Sequence, residues 1–346
     1  MFRKNSSLTG SLLKIAAPAI AVAAGIMSVP AAQAQTITGA GATFPAPIIQ
    51  KWIGAYKAST GVEVNYQPIG SGGGINALIS HTVDFAGSDI PMNANEKGQA
   101  GAPVVNIPDI IGAVVVCYNL SKIGPGIALT GPVIADIFQG KITYWDDPRI
   151  TKLSPGVKFP HDNIIVVHRS DGSGTTAIFT DYLSKVSSSW KSEIGTGKSV
   201  SWPSGQLGGK GNAGVAGFVT THDSTIGYVE LAYAIQKNIP YAQVENKAGK
   251  LIYPTDEAAS AAADGVKVPA NLEFSITNSA NAKAYPIAGV SNLIVYAKSP
   301  KNAEVKKFFK FILTEGQKPE YTEPLHYSPL PDGVAAKALE AVEKLR

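Results

Sequence analysis

The sequence of 346 residues contains a single cysteine, Cys117, so an internal disulfide and a cysteine-based zinc site are both excluded. Charged residues are scarce at 16%, while apolar residues reach 45%, a balance that excludes intrinsic disorder and supplies sizeable cores. The five histidines, at 81, 161, 168, 222 and 326, lack metal-ligand spacing. There is no G-x-S-x-G nucleophile elbow. The GTGKS run at 195–199 ends like a P-loop, but Ser192 stands where the pattern needs glycine. Sustained basic clusters are missing, which argues against nucleic-acid binding.

No apolar run is long enough to span a bilayer. The apolar stretch Ile15 to Val29, which carries no charge, covers about 15 residues where roughly 20 are needed. It follows Arg3, Lys4 and Lys14 and precedes Ala32-Gln33-Ala34, the order of a secretory signal peptide. Residues 1–34 therefore read as a removed leader, with cleavage after Ala34 and a soluble mature chain from Gln35. No cysteine sits at the cleavage site, so a lipoprotein signal is absent. The formal charge of +4 falls to +1 without the leader, 27 basic residues against 26 acidic. Bulk charge thus says almost nothing about a ligand.

What is present is an alternation of strand and helix patterns. Val62, Val64 and Tyr66 alternate as in a strand, and the runs 110–116 and 164–167 read as buried strands. Three apolar stripes predict amphipathic helices: Ile48–Tyr56, Ile178–Val186 and Val305–Leu313. This predicts an α/β fold with largely parallel sheet. Length suggests two domains. Gly/Pro clusters at 123–132 and 203–214 read as loops, and 241–282 carries little functional signal.

Three Gly/Ser/Thr loops stand directly before helices. They are TGAGATFPAP (Thr38–Pro47), IGSGGG (Ile69–Gly74) and HRSDGSGTT (His168–Thr176). Ser71 is placed to cap the second helix and to turn a hydroxyl outward. Arg169 falls just past a strand's carboxyl end, where open α/β sheets bind ligands. Helix N-termini present unpaired N–H groups and partial positive charge, so several of them together make an oxyanion site.

These loops, with TVDFAGSDIP (82–91), KITYWDD (141–147), WPSGQLGGKGN (202–212), IGYVELAYA (226–234) and YSPLPD (327–332), resemble the periplasmic phosphate-binding proteins of Pst-type ABC transporters, the PstS family. The resemblance runs the length of the mature chain. It implies a type II periplasmic-binding-protein (Venus-flytrap) fold, two-lobed, with the ligand in the interlobe cleft. Lobe one would hold 35–115 and 290–346, lobe two 116–289, with crossings near 112–118 and 287–297. The implied phosphate contacts are Thr43, Phe44 through its backbone N–H, Ser71, Asp89, Arg169, Asp171, Ser173, Gly174 and Thr175. Asp89 would be the acceptor for the phosphate proton, and Asp171 the partner that orients Arg169. Two positions depart from the family pattern: Gly72 where a second serine is usual, and His168 where arginine is usual.

The implied partners are inorganic phosphate and an inner-membrane ABC permease. No cofactor, metal or nucleic acid is implied, and the expected state is a periplasmic monomer. Two rivals remain at this point. One is a secreted phosphatase with Ser173 as nucleophile and His168 as base, although a strand would turn His168 away from Arg169's side. The other is a receptor for sulfate or arsenate.

Overall fold

The computed structural model describes residues 36–346, so the leader and its cleavage point lie outside the described residues. β1 (Ile37–Gly41) leads into α1 (Ala46–Thr60), followed by β2 (Val64–Gln67), α2 (Ser71–Ile79), β3 (Phe85–Ser88) and α3 (Ala94–Ala100). The long β4 (Val104–Asn119) comes next, then β5 (Ala128–Leu129), α4 (Gly131–Phe138), α5 (Pro148–Thr151), β6 (Ile165–Arg169), α6 (Gly174–Val186) and α7 (Ser188–Glu193). β7 (Leu207–Gly209), α8 (Gly211–Thr221), β8 (Thr225–Glu230), α9 (Leu231–Gln236), β9 (Gln243–Glu245), β10 (Leu251–Ile252) and α10 (Asp256–Ser260) follow. β11 (Ala288–Tyr296), α11 (Asn302–Leu313), α12 (Pro319–Thr322) and α13 (Asp332–Glu343) end the chain.

Eight strands form one continuous ladder in the order β2-β1-β3-β11-β4-β8-β6-β7, and β10-β9-β5 form a small separate sheet. β4 joins the two halves of the ladder. Its residues 104–113 pair antiparallel with β11, and its residues 114–119 pair antiparallel with β8. Sixteen consecutive residues, rich in Val and Ile and almost all buried, make this possible. A strand covered on both faces needs such a continuous apolar run. Each half also contains parallel pairs, β1 with β2 and β3 on one side and β6 with β7 and β8 on the other.

The expected helices fold as their apolar stripes dictate. α1 buries Ile48, Ile49, Trp52 and Tyr56, and the Trp52 indole N–H donates to the Gly316 carbonyl at 2.8 Å. α11 buries Val305, Phe308, Phe309 and Ile312, with Phe309 edge-on to Phe85 at 5.4 Å. α6 buries Ile178, Phe179, Tyr182 and Leu183, and Phe179 stacks on Tyr228 at 4.3 Å. Full burial of each large side chain stabilises by roughly 1.5–3 kcal/mol, so these three stripes anchor both halves.

Three local readings change. The first strand begins at Val64, not Val62. The run 123–132 is only partly loop, because it holds β5 and the start of α4. The glycine-rich run 203–214 is likewise only partly loop, because it holds β7 and the start of α8. Pairing with His168 and Arg169 on β6 makes Leu207–Gly209 a strand, a tertiary effect that glycine content hides. Among the described residues, no helix is long and apolar enough to cross a membrane.

Candidate anion-binding site

The site is assembled where four helix starts meet. α1 and α2 come from the β1–β3 half, α6 and α8 from the β6–β8 half. Hydrogen bonds join the halves directly. The Gly72 N–H donates to the Gly172 carbonyl at 2.8 Å, and the Gly174 N–H to Ser71 Oγ at 3.1 Å. The Asn212 side-chain amide donates to Thr43 Oγ1 at 2.8 Å and to Thr175 Oγ1 at 3.1 Å. The Tyr233 hydroxyl donates to the Thr43 carbonyl at 2.7 Å. An ion pair between Lys198 and Glu96 lies beside them.

The loops differ in how they start their helices. Ser71 is not a cap. Gly70, at φ +88°, precedes the helix, and Ser71 is its first helical residue. A side chain at Gly70 would also strike Asp171 Oδ2 at 2.3 Å. Freed from capping, Ser71 Oγ accepts from the N–H groups of Asp89 (3.3 Å) and Gly174 (3.1 Å). Ser173, in contrast, caps α6 and accepts from the Thr176 N–H at 3.0 Å.

Arg169 is held rigidly. Its Nε and Nη2 donate to Asp171 Oδ1 and Oδ2 at 2.8 and 2.6 Å, and its Nη1 to Thr175 Oγ1 at 3.3 Å. This two-point fork fixes the guanidinium plane. Burial alone would raise the Asp171 carboxyl, but the bonds and charge of Arg169 outweigh it and hold Asp171 below the usual range. Asp171 Oδ1 also accepts the first N–H of α8, from Gly211, at 2.9 Å.

Asp89 is the anomaly. It is 4% exposed, and neither carboxyl oxygen has a hydrogen-bond partner. Burial pushes its pKa up to about 7 against the pull of Arg169's positive charge and the nearby Ser291 and Ser71 hydroxyls. A buried carboxylate without partners is costly, so such a group asks for a donor. Thr43, Phe44, Ser71, Asp89, Arg169, Ser173, Gly174 and Thr175 are all brought together in this buried region, and Asp171 lines its rim.

This is the setting in which known relatives become informative. The model of the PBP superfamily domain matches residues 28–315. The phosphate-binding protein PstS of Xylella fastidiosa (strain 9a5c) is 46% identical over 312 residues, covering 88% of this chain and 84% of the relative. The chain belongs to the PstS family. The Haemophilus influenzae PstS is 44% identical, covering 89% of this chain and 93% of its own. The solved phosphate-binding protein from Stenotrophomonas maltophilia shares the fold at a TM-score of 0.68 and 21% identity, over 88% of this chain and 93% of that one. The fold is thus the two-lobed, type II periplasmic-binding-protein architecture of that family, in its α/β form.

Several residues around this PstS-family site escape the three-loop reading. Asn212 is fully buried, and its Oδ1 accepts from the Glu230 N–H at 3.0 Å. The Tyr327 hydroxyl donates to the Phe44 carbonyl at 2.6 Å and lies 3.0 Å from Glu230 Oε2. Burial holds Glu230 well above the usual carboxylate range. The only sequence signal for Asn212 is its place at the end of the glycine-rich run; for Tyr327 it is the YSPLPD motif. His168 faces away, its ring stacked on Trp202 at 4.8 Å and its Nδ1 2.9 Å from the Arg169 carbonyl.

Proposed function

We propose that this protein is a periplasmic receptor that binds inorganic phosphate and delivers it to an inner-membrane ABC phosphate permease. It acts as a monomer and not as an enzyme, after export and removal of residues 1–34. Lobe one is 35–115 with 290–346, lobe two 116–289, and the cleft between them closes on the anion. The contacts are Thr43, the Phe44 N–H, Ser71, Asp89, Arg169, Ser173, Gly174 and Thr175, with Asp171 fixing Arg169.

The observation that carries this reading is Asp89, a buried carboxyl with two unpartnered oxygens set among donors and a fixed guanidinium. Phosphate near neutral pH always carries a proton and sulfate carries none. Ionised Asp89 accepts a hydrogen bond from the first and repels the second. A buried polar group left unpaired by the wrong ligand rejects it by roughly 10⁴–10⁵-fold. Closing the lobes excludes water and strengthens every bond to the anion. Lobe-two contacts exist only when the cleft is shut, so the ligand favours the closed shape by that difference, and the permease can read it.

The stacking of His168 on Trp202, away from Ser173, supports binding over phosphoester hydrolysis. Calorimetric titration with phosphate and sulfate at pH 8 tests the reading. Phosphate is expected to bind with sulfate excluded, and Asp89→Asn to admit sulfate. Comparable affinities for the two ions in the native protein would overturn it.

A further inference from the structure

Behind Asp89 lies a second buried carboxyl that phosphate does not explain. β4 and β11 slip register between Ser291 and Asn292: Ser291 pairs with Ile110 but Asn292 with Pro108, leaving Asp109 as the extra residue of a β-bulge. Bulges beside sites re-aim side chains. β3 lies on the other edge of β11, with Ser88 paired to Asn292, so Asp89, Ser291 and Asp109 sit in one row across three adjacent strands. Asp109 and Ser291 are fully buried. Both carboxyl oxygens of Asp109, the Ser291 hydroxyl and both oxygens of Asp89 have no closed hydrogen bond, although Ser291 faces both carboxyls.

Five orphaned polar atoms facing one another are not tolerated in a native interior unless they satisfy each other. Serine has one proton to give. Two ionised carboxylates would compete for it and repel each other, leaving acceptors without donors. One proton on Asp109 engages three of the five: Asp109 donates to Ser291, and Ser291 donates to one Asp89 oxygen. The second Asp109 oxygen faces the Asp109 and Ile110 N–H groups, and the second Asp89 oxygen is left for the anion.

The surroundings decide which carboxyl holds the proton. Asp89 faces Arg169 from β6 and the Ser71 hydroxyl; Asp109 faces neither, and burial and the Asp89 charge push its pKa well up. The other titratable neighbours are Glu230, Tyr66, Tyr233 and Tyr327. The three tyrosine protons are already given to the carbonyls of Ala42, Thr43 and Phe44. Glu230 Oε2 already accepts the Ala232 N–H.

We propose that Asp109, in its protonated form, heads a donor chain through Ser291 that keeps Asp89 ionised, and so sets how low the pH can fall before the pocket accepts sulfate. Asp109 and Ser291 are positioning residues; they act through Asp89. The inference rests on the phosphate reading above.

The test is sulfate competition against bound phosphate from pH 5 to 9. In the native protein sulfate begins to compete as Asp89 becomes protonated. Ser291→Ala and Asp109→Ala are expected to move that midpoint up by about one pH unit, roughly tenfold stronger sulfate competition at a pH between the two midpoints. Asp109→Asn keeps a neutral donor and is expected to hold the native midpoint. Ser291→Ala carries the test if Asp109→Ala does not fold. A native midpoint in Ser291→Ala overturns the chain. A lower midpoint in Asp109→Asn also overturns it, because Asp109 would then be a repelling anion. A native protein that binds no phosphate at any pH defeats the underlying reading instead.

Discussion

Gly174→Ala tests cleft closure more sharply than any change to a charged group. A Cβ at this position would lie 2.4 Å from Asp89 Oδ2, 2.5 Å from Ser71 Oγ and 2.6 Å from Asp89 Cβ. Ordinary contact between such atoms is about 3.5 Å, so the overlap is about 1 Å at each. All three atoms belong to the half that carries α2 and β3, whereas Gly174 opens α6 of the other half. The clash therefore exists only when the halves meet. Relieving it means parting them by about 1 Å. That separation breaks the bonds Gly174–Ser71 (3.1 Å), Gly72–Gly172 (2.8 Å) and Asn212–Thr43 (2.8 Å). Each contributes about 0.5–1.5 kcal/mol net, so three give about 1.5–4.5 kcal/mol, or a roughly 10- to 2,000-fold loss of affinity. Calorimetry on phosphate-stripped protein measures the loss, and thermal unfolding without phosphate should show an unchanged midpoint. Native affinity in the variant refutes the reasoning. A midpoint that falls with the affinity would place the cost in the fold and not in closure.

Two further predictions follow from the same geometry. With the two halves joined, Asp89 sits at about 7 against an ordinary 3.8, because burial disfavours its charge. A raised acid pKa means the closed form is fully favoured below about 4 and loses stability as pH rises through about 7. The radius of gyration of phosphate-free protein from small-angle scattering should therefore be larger at pH 8 than at pH 5, and Asp89→Asn should abolish the difference. Asn212→Ala removes donors to Thr43 and Thr175 and strands the buried Glu230 N–H. It should weaken phosphate binding by roughly ten- to a hundredfold and also lower the thermal midpoint, since an unsatisfied buried N–H costs about 1–3 kcal/mol in the fold itself.

Local sequence determined the three apolar-striped helices and the middle of the central strand. The stripe Ile48–Tyr56 buries one face of α1 wherever the helix is placed, and the run 110–116 reads as a buried strand, which pairing with β11 and β8 extends to Val104–Asn119. The loop motifs also marked Arg169 at a strand end and Ser71 at a helix start, whereas Asp89 joined them only through the family resemblance. What sequence did not carry were relations between distant residues. That Ser71 serves Gly174 and not its own helix depends on two segments 103 residues apart. Asn212 has an ordinary place in a glycine-rich run until folding sets it between Thr43 and Thr175. Asp109 looks like an interruption in an apolar strand. Only the bulge against β11 sets it in one row with Ser291 and Asp89, because the register of two strands that meet across nearly 200 residues is decided by tertiary packing and not by local preference.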